Sequence, residues 1–158
     1  MKEKFQEEII RHQALIHKIC HIYRDTREER EDLFQDIVYQ LWKAYPKFQG
    51  KSKITTWMYR IGLNTAIATF RQQKLAFSAL QDQQDFVDKS NDVDHDQRDQ
   101  LLWAIRQLND ADRAIVALYL DDLSYQEISE IIGINENYVG VRLNRIKEKI
   151  KELLNLKL

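Results

Sequence analysis

The sequence predicts an all-α protein of two small helical domains joined by a flexible linker, the C-terminal one a helix-turn-helix, and three observations carry that expectation. Only 4 glycines and 1 proline interrupt 158 residues, so helix breakers are scarce. Apolar residues recur at three and four positions over long stretches, with no sustained alternation of the kind a half-buried strand needs. Between the two periodic halves, residues 77–94 are rich in Gln and Asp and poor in apolar side chains. Such a segment cannot bury enough surface to offset the entropy of ordering it. The expected domains are therefore residues 1–76 and 95–158, each with enough apolar side chains to build a core.

The elements follow in order. Phe5, Ile9, Ile10, Leu15, Ile16, Ile19 and Ile22 outline one amphipathic helix from about Lys4 to Tyr23. Asp25 to Arg30 reads as a charged turn. Glu31 to Tyr45 is a second helix, with Leu33, Phe34, Ile37, Val38, Leu41 and Trp42 inward, and Pro46 ends it. Lys47 to Lys53, with Gly50, is a loop; helical spacing returns from Ile54 to about Leu75 through Trp57, Met58, Ile61, Ile67 and Phe70. Beyond the linker, His95 to Gln107 and Asp110 to Leu120 are two more helices. Ser124 and Glu127 stand in the capping-box arrangement, which starts a helix at Tyr125. Ile128, Ile131 and Ile132 form its apolar face, and Gly133 supplies the positive φ of a turn. Asn135 then caps a last helix whose inner stripe is Val139, Leu143, Ile146, Ile150 and Leu153.

The net charge of −1 conceals a strong local asymmetry. From Ile37 to Gln81 there is no Asp or Glu, while Lys43, Lys47, Lys51, Lys53, Arg60, Arg71 and Lys74 are all cationic. Asp82 to Asp99 reverses the sign, with 7 aspartates facing only Lys89 and Arg98. Segregation of this kind says more about partners than the total does. A single cysteine, Cys20, excludes an internal disulfide and fits a reducing compartment. No apolar run approaches the ~20 residues that cross a bilayer, and the N-terminus alternates Lys2, Glu3, Lys4, Glu7 and Glu8 where a signal peptide needs an apolar core. The expectation is a soluble cytoplasmic protein without direct membrane insertion.

Few residues suit other chemistry. His12, His17, Cys20 and His21 have helical spacing that can hold a metal, yet no second cluster completes four ligands, and a half-buried helix face explains them as well. No nucleophile–base constellation or phosphate-cradling glycine loop is present. Neither an enzymatic activity nor a cofactor is expected.

Nucleic acid is the partner the motifs favour. In a helix-turn-helix the start of the second helix enters the major groove, so Glu136, Asn137, Tyr138, Val141, Arg142 and Arg145 are candidates for base or phosphate contact. The bland alternative is a helical hairpin with a solvated basic face. In the acid-free block, Trp42, Tyr45, Phe48, Trp57, Tyr59 and Phe70 interleave with the cations, a combination that suits single-stranded DNA through phosphate neutralisation and base stacking. Aromatics at helical spacing are otherwise core residues. The loop Phe48 to Thr56 has no packing reason to be so basic.

Two stretches, DLFQDIVYQLWKAYPKFQGKSKITTWMYRIGLNTA (Asp32 to Ala66) and LSYQEISEIIGINENYVGVRLNRIKEKI (Leu123 to Ile150), together resemble regions two and four of the extracytoplasmic-function sigma factors, in that order. The resemblance implies an alternative sigma factor that binds core RNA polymerase and directs promoter-specific initiation, with an anti-sigma factor as a further partner. It implies core polymerase docking through Asp32, Gln35 and Asp36 of the family's D-L-x-Q-[DE] motif. It further implies capture of a flipped −10 base by the loop Phe48 to Thr56, with Phe48, Lys51, Ser52, Lys53, Trp57 and Asn64 as contacts, and −35 reading by Asn137, Tyr138, Val141, Arg142 and Arg145. This chain departs from the family at Leu63 and Ala68, around Asn64, and at Gly140 and Val141, where a basic and a small polar residue are usual. A stand-alone helix-turn-helix regulator has no need of the Asp32 to Asn64 block, and a purely structural adaptor has no need of DNA affinity.

Overall fold

A computed structural model of the chain describes residues 1–80 and 97–157. The described residues form eight α-helices and no strand: α1 (Lys2–Arg11), α2 (Gln13–Tyr23), α3 (Arg27–Ala44), α4 (Ile54–Leu80), α5 (Gln97–Arg106), α6 (Asp110–Leu120), α7 (Tyr125–Ile132) and α8 (Glu136–Lys157). A short 3-10 turn, Tyr45–Lys47, holds Pro46 after α3. Residues 81–94, most of the expected linker, lie outside the described residues, and α4 continues to Leu80 rather than stopping near Leu75.

Two helix boundaries differ from expectation, and local chemistry explains both. The single N-terminal helix is broken at His12, whose backbone sits at φ −113° and ψ 18°. The five-residue step from Ile10 to Leu15 throws the apolar stripe out of phase, so one straight helix cannot bury both halves. After the break, Phe5 packs edge-on against Trp42 and Tyr45 at 5.0 and 5.2 Å, while Leu15, Ile16 and Ile19 face the core. Ile10 is left exposed. Of the stretch read as a charged turn, Asp25 to Arg30, only Asp25 and Thr26 precede the helix, and Arg27 to Arg30 form the first turn of α3. Thr26 accepts a hydrogen bond from the Glu29 amide at 3.2 Å and its hydroxyl donates to the Glu29 carboxylate at 2.9 Å. That T-x-x-E signal is legible in the sequence, but the charge density masks it.

The C-terminal half starts and stops where its caps dictate. Asn109 accepts from the Asp112 amide at 2.9 Å and opens α6. Ser124 and Glu127 exchange reciprocal bonds of 3.0 and 3.1 Å, a complete capping box at the start of α7. Gly133 ends that helix at φ 84°, a conformation open to glycine at no steric cost. The Asn135 side chain accepts from the Asn137 amide at 2.7 Å and opens α8.

In the first half the core is Ile16, Ile19, Leu33, Ile37, Leu41, Met58 and Leu63; in the second it is Ile105, Ile115, Leu118, Ile128 and Leu143. The two sets join in one continuous apolar cluster. Each such side chain contributes roughly 1.5–3 kcal/mol of transfer free energy on burial. Arg24 is buried at the end of α2, where its guanidinium donates to the Tyr23 carbonyl at 2.9 Å, the Ala66 carbonyl at 3.3 Å and Thr69 Oγ1 at 2.7 Å. It ties α2 to α4. Among the described residues no helix is long and apolar enough to cross a membrane.

Candidate nucleic-acid interface

The helical repeat of α3 sorts its residues cleanly. Leu33, Ile37 and Leu41 are buried, which turns Asp32, Gln35 and Asp36 out to solvent as a row of hydrogen-bond acceptors. Beside them lies an open apolar groove between α1 and α3, lined by Phe5, Ile9, Ile10, Val38, Tyr39 and Trp42 and reaching Gln35.

The loop between the 3-10 turn and α4 bends at Gly50, φ 70°. Lys51 and Lys53 are exposed and Ser52 half-buried. Phe48 and Trp57 are also half-buried and pack on each other, ring centroids 4.9 Å apart, with Tyr45 at 6.2 Å from Trp57. These rings therefore do two things at once: they close the edge of the core and leave part of their surface beside two lysines. Asn64 is exposed one turn along α4 from Arg60, also exposed. Leu63, where the family pattern has an arginine, is 3% exposed and part of the core. The departure at 63 thus follows from packing. The inner face of α4 is Met58, Tyr59, Leu63 and Ala66, while Trp57, Ile61 and Ile67 are only partly covered.

On α8, Val139, Leu143, Ile146 and Ile150 are buried and Asn137, Tyr138, Val141 and Arg145 exposed. Arg142 is placed differently from the other candidates. Its guanidinium is half-buried, paired with the Asp112 carboxylate of α6 (Nε to Oδ1 3.1 Å), and it donates to the Tyr138 hydroxyl at 3.3 Å. Those acceptors raise its pKa above the ordinary arginine value. It faces α6 rather than the outermost line of the helix, and Asp112 holds it there. Asn144, exposed three residues after Val141 and seven after Asn137, belongs to the outward row and was missed by sequence reasoning, although its spacing reveals it. Gly140 also gains a reason. A Cβ there would lie 3.3 Å from the Tyr125 ring, so a side chain at 140 would need that ring to give way.

The remaining sequence candidates are accounted for by packing. His17 stacks on Phe34 with centroids 4.6 Å apart, and His12 pairs with Glu8 at 3.5 Å. Cys20 is 1% exposed, and burial pushes its thiol up to about 11. Burial, with Arg30 and Arg106 nearby, lowers the His21 pKa. Among the described residues no group of three His, Cys, Asp or Glu is arranged to hold a metal ion.

An outward acceptor row, a basic aromatic loop and a capped helix-turn-helix are thus presented on one chain. Residues 9–76 match Sigma-70 region 2 and residues 98–150 match Sigma-70 region 4. The RNA polymerase sigma factor SigV of Bacillus subtilis is 27% identical over 135 residues, covering 85% of this chain and 81% of that protein. The ECF RNA polymerase sigma factor SigG of Mycobacterium tuberculosis is 38% identical over 58 residues, a match spanning 35% of this chain and 16% of the relative. Among solved structures, the sigma factor RpoE bound to the anti-sigma factor NepR from Bartonella quintana superposes with a TM-score of 0.75 at 18% identity, covering 99% of both chains. CnrH in complex with the cytosolic domain of CnrY gives 0.72 at 17% identity, covering 100% of this chain and 92% of that one. With both conserved regions present in order and the whole fold shared, the chain belongs to the extracytoplasmic-function sigma factors of the sigma-70 family.

Proposed function

We propose that this chain is an alternative sigma factor that divides promoter reading between its halves. Residues 1–76 bind core RNA polymerase and open the −10 element; residues 95–158 read the −35 element as duplex. The observation that carries the reading is the pairing, on one chain, of the exposed Asp32, Gln35 and Asp36 row with the acid-free loop around Phe48 and Trp57 and with the capped helix-turn-helix.

The roles follow from chemistry. Outward carboxylates and an amide on α3 suit a cationic surface of polymerase. Extracting a base from the stack costs a few kcal/mol, and partly exposed Phe48 and Trp57 rings flanked by Lys51, Ser52 and Lys53 offer stacking and phosphate neutralisation in return, with Asn64 as a polar reader. On α8, Asn137, Tyr138, Val141, Asn144 and Arg145 face outward as the −35 readers, Val141 suited to a thymine methyl. Arg142, held by Asp112, acts from a fixed position. No residue is assigned a catalytic role and no cofactor is needed, since the chemistry of transcription belongs to polymerase. A partner of this kind places the protein in the cytoplasm. RpoE and CnrH were solved with the anti-sigma factor NepR and the cytosolic domain of CnrY, and an anti-sigma factor is proposed as a partner here too.

Reconstituted transcription with core polymerase on a genomic fragment library tests the reading. Promoter-specific transcripts that start a fixed distance from two shared elements are expected. Transcripts no different from those of core enzyme alone would refute it.

A further inference from the structure

A cavity of about 290 Å³ opens where the end of α1, the start of α4 and the connection from α6 to α7 meet, and the function proposed above makes no use of it. Tyr59 forms part of its wall. That residue is 6% exposed, and its hydroxyl is buried with no hydrogen-bond partner among the described residues. Buried polar groups are ordinarily paired, so an orphan of this kind calls for an explanation. The ring belongs to the core, while the O–H is a donor with nothing to receive it.

The first turn of α4 brings more donors to the same space. The Trp57 amide donates to the Lys53 carbonyl at 3.1 Å, so the amides of Ile54, Thr55 and Thr56 precede the ladder and have no acceptor within it. Thr55 and Thr56 line the cavity. The helix runs for 27 residues and has no acidic residue in its first turn, so the positive pole of its peptide dipoles is uncompensated there.

The break between α1 and α2 sets Arg11 and His12 at the cavity's edge, where the two share a single carboxylate, Glu8, each at 3.5 Å. The acids of the opposite edge are already engaged. Asp121 is paired with Lys18, and Glu127 accepts from the Ser124 amide at 3.0 Å and stands 4.0 Å from the Lys53 ammonium. What is left over in the cavity is donor capacity and positive potential. Ala14, Leu15 and Leu123 add an apolar wall.

We infer that this cavity binds a small phosphate-bearing anion, with the phosphate held between the start of α4, the Tyr59 hydroxyl and Arg11. Donors converge on it from three elements of the wall, which suits the tetrahedral oxygens of a phosphate better than the planar pair of a carboxylate. The volume lies at the lower end of the range for ligand sites. Inorganic phosphate or a short phosphomonoester fits it, the carbon chain of the latter meeting Ala14, Leu15 and Leu123. The inference is independent of promoter reading.

The test titrates the full chain at about pH 7.5 with inorganic phosphate, with glycerol phosphate and with acetate, sodium chloride holding the ionic strength constant. The melting temperature should rise saturably with either phosphate compound, and the amide resonances of Thr55 and Thr56 should shift along the same curve in heteronuclear NMR. Tyr59→Phe keeps the ring and removes only the unpaired hydroxyl. In chloride alone it should melt at or above the parent temperature, while its phosphate affinity falls roughly tenfold, as the loss of one hydrogen bond to a charged group implies. Arg11→Gln, at a side chain 65% exposed, should leave the fold intact and weaken phosphate binding by a similar factor. Tighter binding of glycerol phosphate than of inorganic phosphate identifies an organic phosphomonoester as the occupant, and the reverse order identifies free phosphate; either upholds the site. Equal responses to phosphate and chloride, or shifts at Thr55 and Thr56 that never saturate, would overturn it. So would acetate binding as tightly as phosphate. A Tyr59→Phe variant that melts lower in chloride and binds phosphate undiminished would also overturn it, since the hydroxyl would then serve the fold alone.

Discussion

Gly62 sits on the buried face of α4, where an added Cβ lies 2.8 Å from Ile19 Cδ1 and 3.6 Å from Ile37. Both neighbours are almost fully buried and have nowhere to move. Gly62→Val should therefore destabilise the protein by roughly 1–3 kcal/mol, read as a lower urea midpoint with an unchanged slope. Cys20 makes a different prediction. Its thiol keeps its proton up to about 11, against an ordinary 9.0, because burial penalises the thiolate. A raised folded pKa contributes stability that is fully present below pH 9.0 and is lost as pH rises toward about 11. The same burial should make alkylation at pH 8 follow global unfolding, so rapid modification of the native chain would contradict the placement. Arg142 and Asp112 are coupled by contact. If Asp112 positions the guanidinium, Asp112→Ala and Arg142→Ala should each weaken −35 binding, Arg142→Ala by about 1–3 kcal/mol where it reads a base. The double variant should lose less than the sum, as a double-mutant cycle measures.

At the scale of elements, the caps decide where helices begin. Ser124→Ala removes one half of the capping box and should cost about 1 kcal/mol, seen as earlier loss of helicity in urea without a change in the outward face of α8. The amide of Ser124 and its hydroxyl hold the Glu127 carboxyl below its ordinary 4.5. A depressed folded pKa contributes stability present above 4.5 and lost as pH falls through the folded value, so the α7 cap weakens only in acid. The break at His12 and the early start of α3 at Arg27 show the limits of periodicity. The first needed attention to phase, the second to a cap buried among charges. α6 and the start of α7 match expectation because Asn109 and Ser124 are strong caps beside clear apolar stripes.

Across the whole molecule, the acceptor row of α3 lies on a face that the core does not use. Replacing Gln35 and Asp36 with Ala should leave melting nearly unchanged and weaken core polymerase binding, measured by competition against the parent for a limiting amount of core enzyme. Unchanged competition would remove the docking assignment. The apolar groove beside Gln35 borders the same row. The Asp32, Gln35 and Asp36 row stays exposed while α7 meets α4 through Arg60 and Glu130 and the preceding loop through Lys53 and Glu127.

The sequence by itself determined the helical class, the helix-turn-helix, the acid-free loop and nearly every outward candidate, because periodicity, caps and charge sign are local properties of the chain. Tertiary structure alone decided three things: that Leu63 is core, that Arg142 is taken by Asp112, and that α7 lies across the basic face of α4. Each depends on groups distant in sequence meeting in space: Arg142 and Asp112 are separated by 30 residues, and Arg60 and Glu130 by 70. No local pattern encodes such pairs, since the free energy that selects them comes from surface buried only once the helices have docked.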